Sequence, residues 1–260
     1  MAHDTLALTP TLPRLRGRGQ RYRFANPNRM NEGLLFLAHR IPFPPNKGDK
    51  IRSFHLLRHL AARYDVHLGA FVDDPDDWRY RDALKPYCKS IKLLPLHPRR
   101  ARLASLTGLV TGQALTLPYY RNRALAHWAA GLAAAGTVTR GLAFSSAMAQ
   151  FLPATLERRV LDMVDVDSDK WTQYASTQRW PLSWVYAREG RKLAVWEARV
   201  AQDFDATLLV SNDEAALLRQ RTPQARHKIG AFENGVDAEY FSPARDYPNP
   251  YADDVRGVVF

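Results

Sequence analysis

Seven short apolar runs recur along the chain and predict buried β-strands. Turn residues, such as the "DDPDD" segment at 73–77, and longer amphipathic stretches separate these runs. The predicted strands cover residues 34–38, 66–72, 90–96, 141–146, 159–165, 206–211 and 228–235.

Apolar residues at steps of three and four predict the helices. Residues 49–63 form one amphipathic helix, for which Asp49 is the expected N-cap, and residues 182–204 form a long one. The other helical segments are a short helix through Leu84, a broken helical region over 99–135 and a helix that Asn212 caps.

Apolar strands that alternate with helices predict an α/β fold, with a mostly parallel sheet covered on both faces. Ligands of such sheets bind beyond the carboxyl ends of the strands, so polar residues that follow a strand are the functional candidates. These candidates are His39 to Lys50, Ser145 and Ser146, Asp165 to Lys170, Ser211 to Glu214, and Glu233 to Asp237.

The 260-residue chain has 37 lysines and arginines against 26 acidic residues, a formal net charge of +11. This excess favours anionic partners, such as phosphorylated small molecules or an anionic membrane surface. We do not expect nucleic acid as a partner, because no reader motif accompanies the charge. Cys88 is the only cysteine, which excludes an internal disulfide and makes the cytoplasm the expected compartment.

The two ends of the chain differ in composition from the rest. Residues 1–29 hold six arginines against Asp4, which predicts a disordered, dispensable basic arm, and Met30 is the expected natural start. Residues 244–260 open as a Pro-rich connector and stop inside the apolar "VRGVVF". We therefore expect a domain over 30–243 and, from 244, a linker and the first strand of a truncated second domain.

"PPNKGDKIRS" follows the first predicted strand, where a helix begins. Gly48 permits a ligand to approach the backbone closely, while Lys47, Lys50 and Arg52 add positive charge at a helix N-terminus that already favours anions. The segment has neither of the common nucleotide-binding glycine patterns. An anion site and a tight turn with solvated lysines both explain this sequence.

Asp165 and Asp167 follow the strand at 159–165. An Asp-x-Asp pair in this position can bind a divalent cation that bridges a diphosphate, or it can supply a general base. Acidic residues at strand ends also serve as turn and cap residues. A metal-dependent transferase therefore remains one hypothesis, and loss of activity on chelation would support it.

Glu189 and Glu197 lie at the edge of the apolar face of the helix over 182–204. Buried carboxylates need partners. We expect structural ion pairs with the basic residues that are near in sequence, Arg191, Lys192 and Arg199.

"ENGVDAEYFSP" at 233–243 resembles the end of the N-terminal domain of group 1 (family 4) glycosyltransferases, enzymes with two facing Rossmann-like domains in the GT-B architecture. "LLVSNDEAALLR" looks like that family's strand-Ser-x-x-Glu-helix segment, and "HRIPFPPNKGDKIRSFHLLRHLAARYDVHLGAF" looks like its first strand, glycine loop and helix. "DMVDVDSDKWTQYA" and "YAREGRKLAVWE" are similar to the sugar transferases associated with PEP-CTERM/exosortase exopolysaccharide systems. The resemblance covers about residues 34–260.

The resemblance implies a Rossmann-like, doubly wound, acceptor-side domain without the domain that binds the nucleotide. It implies transfer of a hexosyl group from a nucleotide-sugar donor to a glycan, lipid-linked, in exopolysaccharide biosynthesis, with no cofactor and no bound metal. It also implies that this chain is inactive alone. The alternative is a non-catalytic module that binds the acceptor or the membrane.

The resemblance also implies site residues. Gly48 lies in the loop that faces the cleft between the two domains, and Asp165 stands where relatives often carry a histidine, which makes it the expected catalytic base. The residues expected to bind donor or acceptor are Gly48, Asp49, Lys50, Arg52, Ser145, Ser146, Asp167, Ser168, Lys170, Ser211, Glu214, Asn234 and Gly235.

"PRRARLASLTGLV" at 98–110 places Leu103, Leu106, Leu109 and Val110 on a helix that begins with three arginines. This arrangement is typical of a helix on an anionic membrane surface. It would suit a lipid-linked acceptor and peripheral contact with the inner face of the cytoplasmic membrane. An ordinary helix packed on the sheet gives the same pattern.

Overall fold

The computed structural model describes residues 32–239 and 241–246. The predicted arm over 1–29 and most of the segment predicted over 244–260 lie outside these residues. The strands are β1 (Gly33–Ala38), β2 (Asp65–Val72), β3 (Ser90–Pro95), β4 (Arg140–Phe144), β5 (Arg158–Val164), β6 (Ala206–Leu209) and β7 (Ile229–Ala231). The α-helices are α1 (Gly48–Ala61), α2 (Pro98–Ser105), α3 (Thr107–Thr111), α4 (Thr116–Tyr120), α5 (Arg123–Ala134), α6 (Asp167–Thr177), α7 (Leu182–Asp203) and α8 (Asn212–Arg221). Further 3₁₀-helices cover Pro75–Tyr87, Ser146–Phe151 and Pro223–Lys228.

The strands form one sheet in the order β3-β2-β1-β4-β5-β6-β7, and every neighbouring pair is parallel. The predicted α/β fold with a mostly parallel sheet is confirmed. The first six strands follow the order 3-2-1-4-5-6 of Rossmann-like doubly wound folds. The strand order reverses between β1 and β4, and a crevice outside the carboxyl ends of these strands is the usual ligand position.

Both faces of the sheet are covered by apolar cores. Along β1, Leu35 and Leu37 pack on one side with Leu125 of α5, whereas Phe36 and Ala38 pack in a separate cluster on the other side. All five residues are fully buried. This alternation explains why β1 reads as a continuous apolar run instead of an alternating one.

Two helix caps differ from the sequence prediction. Asp49 lies in the first turn of α1, where its Oδ2 accepts a hydrogen bond from Nη1 of Arg40 at 2.7 Å, and it does not cap the helix. The cap of α8 is Ser211 instead of Asn212, because the Ser211 Oγ accepts from the backbone N–H of Glu214 at 3.2 Å.

Helix α6 was not predicted, because the acidic residues at its start resemble a turn. Its first turn is anchored from α7. The Glu197 carboxylate accepts hydrogen bonds from the backbone N–H of Ser168 at 3.0 Å and from its hydroxyl at 2.5 Å. Burial raises the pKa of Glu197 to about 8, although both hydrogen bonds from Ser168 lower it.

The ion pairs predicted for the two buried glutamates of α7 are wrong. Glu189 accepts hydrogen bonds from the backbone N–H of Leu115 at 2.6 Å and from the N–H and hydroxyl of Thr116 at 2.9 and 2.7 Å. Both glutamates therefore bind peptide groups at the start of another helix. The sequence-near basic residues do not reach them, because those side chains leave α7 in other directions, as Arg199 does toward Asp203.

Arg52 connects α1 to β5 and to the segment that follows β7. Its buried guanidinium forms a bidentate ion pair with Asp162, at 2.9 and 3.0 Å. It also donates to Oδ1 of Asn234 at 2.9 Å and to the backbone oxygen of Phe232 at 2.7 Å. The guanidinium carbon lies 4.8 Å from the centroid of the Phe232 ring.

The predicted surface helix over 98–110 is divided into α2 and α3. Its apolar side chains are exposed: 70% for Leu103, 50% for Leu106, 39% for Leu109 and 91% for Val110. Helix α2 does pack on the core, as the alternative has it, but through Ala101 and Ser105 on its other face. None of the helices in the described part of the chain is both long enough and apolar enough to cross a bilayer.

Replacement of Arg52 is expected to destabilise the fold strongly. Arg52→Met leaves the buried Asp162 carboxyl without its cation and removes the donor to the Phe232 carbonyl, and breaking a buried ion pair costs roughly 3–5 kcal/mol. Urea denaturation measures the change. Arg58→Met, at an exposed position of the same helix, is the matched control and should change stability by less than about 0.5 kcal/mol. Equal losses for both variants would contradict a stabilising role for the buried ion pair.

The raised pKa of Glu197 predicts a fall in stability with increasing pH. The folded state keeps this proton up to about pH 8, whereas the unfolded chain releases it near 4.5. The stabilisation is thus complete below the lower value and is lost as pH rises through the higher one, by at most about 1.4 kcal/mol per pH unit. Urea denaturation at a series of pH values gives the free energy of unfolding against pH. Glu197→Gln should make that free energy less dependent on pH, and the exposed Glu157→Gln should not. Parallel curves for all three proteins would show that Glu197 is ionised in the folded state.

Candidate functional site

A cavity of about 580 Å³ lies at the carboxyl ends of β1, β4 and β5, within the volume range of small-molecule sites. Helices α2, α4, α6 and α7 complete its walls. The cavity is therefore at the reversal point of the strand order, where doubly wound folds bind their ligands.

Aromatic side chains form much of the cavity wall. His39 stacks on Phe144 with the ring centroids 5.7 Å apart, and Trp171 lies 5.1 Å from Tyr186. Tyr120, which lies edge-on to His39, contributes from α4. The wall can thus pack against a planar or extended apolar group. The aromatic residues of the lining are Tyr119, Tyr120, Phe144, Trp171 and Tyr186.

His39 and Asp49 form a dyad at the polar end of the cavity. The Nε2 atom of His39 lies 3.3 Å from Oδ2 of Asp49, and the same oxygen accepts from Arg40 at 2.7 Å. The hydrogen bond from His39, with Arg40 beside it, holds the pKa of the Asp49 carboxyl well below its usual range. The Nδ1 atom of His39 is buried and has no hydrogen-bond partner among the described residues. One ring nitrogen therefore has unused hydrogen-bonding capacity in a residue that lines the cavity.

A second polar cluster follows β5. The ammonium of Lys170 lies 2.5 Å from Asp165 and 3.7 Å from Asp167. Burial raises the pKa of Asp167, Lys170 opposes this shift and Asp165 adds to it. The metal hypothesis places a divalent cation between these two carboxylates. In the structure the ammonium of Lys170 lies near both of them instead. No group of three or more potential metal ligands occurs in the part of the chain described.

The backbone at the ends of β4 and β5 has left-handed conformations at residues other than glycine. Ser145 has φ of 80° and ψ of 142°, and Val164 has φ of 72°. The N–H of Asp165 donates to the carbonyl of Met163 at 3.0 Å and closes a tight turn around Val164. Such conformations cost of order 1–3 kcal/mol each and are frequent at functional sites. Both residues line the cavity.

The structure brings five of the sequence-predicted site residues into the cavity lining, and they come from three separate segments of the chain. The predicted catalytic residue, Asp165, is one of them. The five are Asp49, Ser145, Asp165, Asp167 and Lys170.

Three predicted residues have side chains engaged inside the protein. Lys50 is 1% exposed and pairs with Asp77, and Arg52 pairs with Asp162. Ser168 binds Glu197.

The other predicted residues also lie outside the cavity lining. Glu214 accepts from the backbone N–H of Val166 at 2.6 Å, Ser211 caps α8, and Ser146 is fully buried. Asn234 binds Arg52, whereas Gly235 and Gly48 are exposed. A Cβ atom on Gly48 would meet no atom within 4 Å, and its φ is not left-handed, so backbone strain does not require glycine there.

Sequence reasoning missed most of the wall opposite the strands. Tyr119 and Tyr120 of α4, Arg102 of α2 and Tyr186 of α7 line the cavity, but none follows a strand. Glu189 also lines it, on the polar edge of a predicted amphipathic helix. The position of Glu189 at the edge of the apolar helix face was the one feature of the sequence that pointed to this wall.

Comparison with known proteins finds partial similarity to solved structures at low identity. No protein-family model and no curated protein matches the chain. Similar solved structures include Glycyrrhiza uralensis UGT73P12 complexed with glycyrrhetinic acid 3-O-monoglucuronide (TM-score 0.41, 12% identity, 79% of this chain and 49% of that chain). A second is the Candida albicans trehalose-6-phosphate phosphatase N-terminal domain (TM-score 0.42, 11% identity, 82% of this chain and 50% of that chain). A third is TcCGT1 in complex with UDP (TM-score 0.42, 12% identity, 79% of this chain and 51% of that chain). The first and the last are glycosyltransferases. This chain spans about half the length of each.

Substitution of Ser145 by glycine is expected to stabilise the protein. Glycine adopts the left-handed conformation without strain, which should outweigh its larger loss of backbone entropy by about 1 kcal/mol. Urea denaturation measures the gain. Ser145→Ala is the matched control, because it removes the hydroxyl but keeps the Cβ atom, and it should show no gain. A loss of stability in the glycine variant would show that the backbone conformation of Ser145 is not strained.

Proposed function

We propose that this chain is the acceptor-side domain of a glycosyltransferase that takes a sugar from a nucleotide-sugar donor. The cavity with its His39–Asp49 dyad carries the proposal, because a hydroxyl acceptor needs both a pocket and a base. The sequence resemblance to group 1 (family 4) enzymes of GT-B architecture supports it. In this proposal residues 30–243 bind the acceptor, and a second domain that begins within 244–260 binds the nucleotide.

His39 is the general base of the proposed reaction. The reaction requires Nδ1 of His39, which is buried in this structure, to become accessible from the cavity. The acceptor hydroxyl then gives its proton to Nδ1, and its oxygen forms the new bond to the anomeric carbon as the bond from that carbon to the nucleotide phosphate breaks. Asp49 accepts from Nε2 and stabilises the imidazolium that forms. Asp165, the base expected from the sequence, has its carboxylate engaged by Lys170 at 2.5 Å and is the second candidate.

The exposed start of α1 faces the donor in this proposal. Gly48 leaves the backbone at the helix N-terminus accessible, and the neighbouring Lys47 is exposed. A helix N-terminus and a basic residue together favour the phosphates of a nucleotide sugar.

The finer assignment follows from the resemblance to exosortase-associated enzymes. We propose a hexosyl transfer to a glycan, lipid-linked, in exopolysaccharide biosynthesis, at the inner face of the cytoplasmic membrane. The exposed Leu103 and Val110 support contact with a bilayer, as do Trp180 and Trp184 around the start of α7, which are 82% and 52% exposed. Arg188 links α7 to α3 by donating to the Gly108 carbonyl at 2.6 Å, which joins the two segments near these apolar side chains. The same surface would serve a non-catalytic module that binds the acceptor or the membrane.

Transfer activity tests the proposal. The polypeptide of the complete reading frame should transfer sugar from a panel of UDP- and GDP-sugars, and the 260-residue chain alone should not. His39→Gln in that polypeptide should lower kcat by roughly 10²–10⁴-fold, the usual range for removal of a general base. Asp165→Asn should have a much smaller effect on kcat, with melts of each variant as the control for folding. The opposite ranking would assign the base to Asp165, and turnover by neither protein would contradict the transferase.

Membrane contact is tested by sedimentation with vesicles. Vesicles that contain phosphatidylglycerol should bind the chain, and pure phosphatidylcholine vesicles should bind it weakly. Leu103→Ser combined with Val110→Ser should lower binding by about tenfold or more, since two apolar side chains no longer enter the bilayer. The control is Val195→Ser, an equally exposed apolar position further along α7. Unchanged binding in the double variant would contradict the proposed surface.

A further inference from the structure

The cavity lining is acidic, although the protein is basic. Four carboxylates line it in the described part of the chain, those of Asp49, Asp165, Asp167 and Glu189. The cations of the lining are those of Lys170 and Arg102. In the lining as a whole the carboxylates therefore outnumber the cations, in contrast to the chain with its net charge of +11.

The basic groups at the polar end are already occupied. Lys170 lies within 3.7 Å of both carboxylates that follow β5. Arg40 binds Asp49 at 2.7 Å and Asp73 at 2.8 Å. A phosphate placed beside Asp49 or Asp165 would have to compete with these carboxylates for Arg40 and Lys170.

The N-termini of α4 and α6 at the cavity are occupied in the same way. At α4, Glu189 accepts from two backbone N–H groups, and at α6, Glu197 accepts from the N–H of Ser168. Glu214 accepts from the N–H of Val166, immediately before α6, and Asp49 accepts from the N–H of Lys50 in the first turn of α1. Helix N-termini attract anions through such free N–H groups. Internal carboxylates have therefore taken several of these donors at α4 and α6, whereas α1 keeps the exposed start to which the proposed function assigns the donor phosphates.

We infer that the group that enters the cavity is uncharged, a sugar or other hydroxyl-bearing group on an apolar body, and that a phosphate or carboxylate is excluded from it. This inference rests on the proposed function and names the chemical class of its acceptor. The carboxylates and His39 accept hydrogen bonds from hydroxyls, and the aromatic wall packs against the apolar part. A lipid-linked acceptor would keep its phosphates outside, near the exposed Arg99 and Arg100 of α2.

A matched pair of ligands tests the inference without any donor. Isothermal titration calorimetry at pH 8 compares 4-methylumbelliferyl β-glucoside, which is uncharged, with 4-methylumbelliferyl phosphate, which has the same planar body and carries negative charge. The 260-residue chain should bind the glucoside at least about tenfold more tightly, because the excess carboxylates repel the phosphate at short range. Asp165→Asn combined with Asp167→Asn should reduce the ratio of the affinity for the glucoside to the affinity for the phosphate. The exposed Asp82→Asn is the control and should leave that ratio unchanged.

Equal affinities, tighter binding of the phosphate, or no binding of either ligand would overturn the inference. A difference that the double variant leaves unchanged would overturn it as well. Failure of the transferase assay would leave these measurements unaffected, because no sugar is transferred in them. Conversely, a preference for the phosphate would refute an uncharged acceptor and leave the proposed transfer reaction standing.

Discussion

The buried ion pair between Arg52 and Asp162 fixes the two sides of the cavity relative to each other. Arg52 belongs to α1, whose first turn carries Asp49 to within reach of His39. Asp162 belongs to β5, two residues before the strained turn that ends the strand. Two charges removed from water are costly unless their remaining hydrogen-bonding groups are satisfied. Arg52 meets this condition through Phe232 and Asn234, so the same interaction also positions the segment after β7.

Three glutamates stabilise the other walls of the cavity in the same way, through hydrogen bonds between an acidic side chain and distant parts of the chain. The carboxylates of Glu189, Glu197 and Glu214 each accept hydrogen bonds from backbone N–H groups that precede or begin a helix at the cavity. These N–H groups would otherwise be unsatisfied at helix starts. The arrangement rigidifies short segments whose own helical signals are weak. Of the three carboxylates, that of Glu189 also lines the cavity and adds to the acidic side chains there.

The protein therefore separates its charges by depth. Basic residues dominate the surface, including the start of α1 and the exposed face of α2, whereas carboxylates dominate the interior of the site. For a transferase this division is useful, since a donor brings phosphates and an acceptor brings a hydroxyl. The proposed donor then meets the exposed helix start, and the acceptor hydroxyl meets the His39–Asp49 dyad inside.

The sequence by itself determined the strands, most of the helices, the parallel sheet and the edge on which the site lies. These follow from local periodicity and from the rule that ligands of parallel sheets bind beyond the carboxyl ends of the strands, the edge where Asp49, Ser145 and Asp165 line the cavity. Only the tertiary structure decided which polar side chains turn into the cavity and which turn into the protein, as Arg52 does. That choice depends on partners far apart in sequence, because the free energy of a buried charge is set by the groups that surround it in the folded chain. The aromatic wall of α4 and α7 was likewise decided by packing, since no local pattern distinguishes a residue that faces a cavity from one that faces the core.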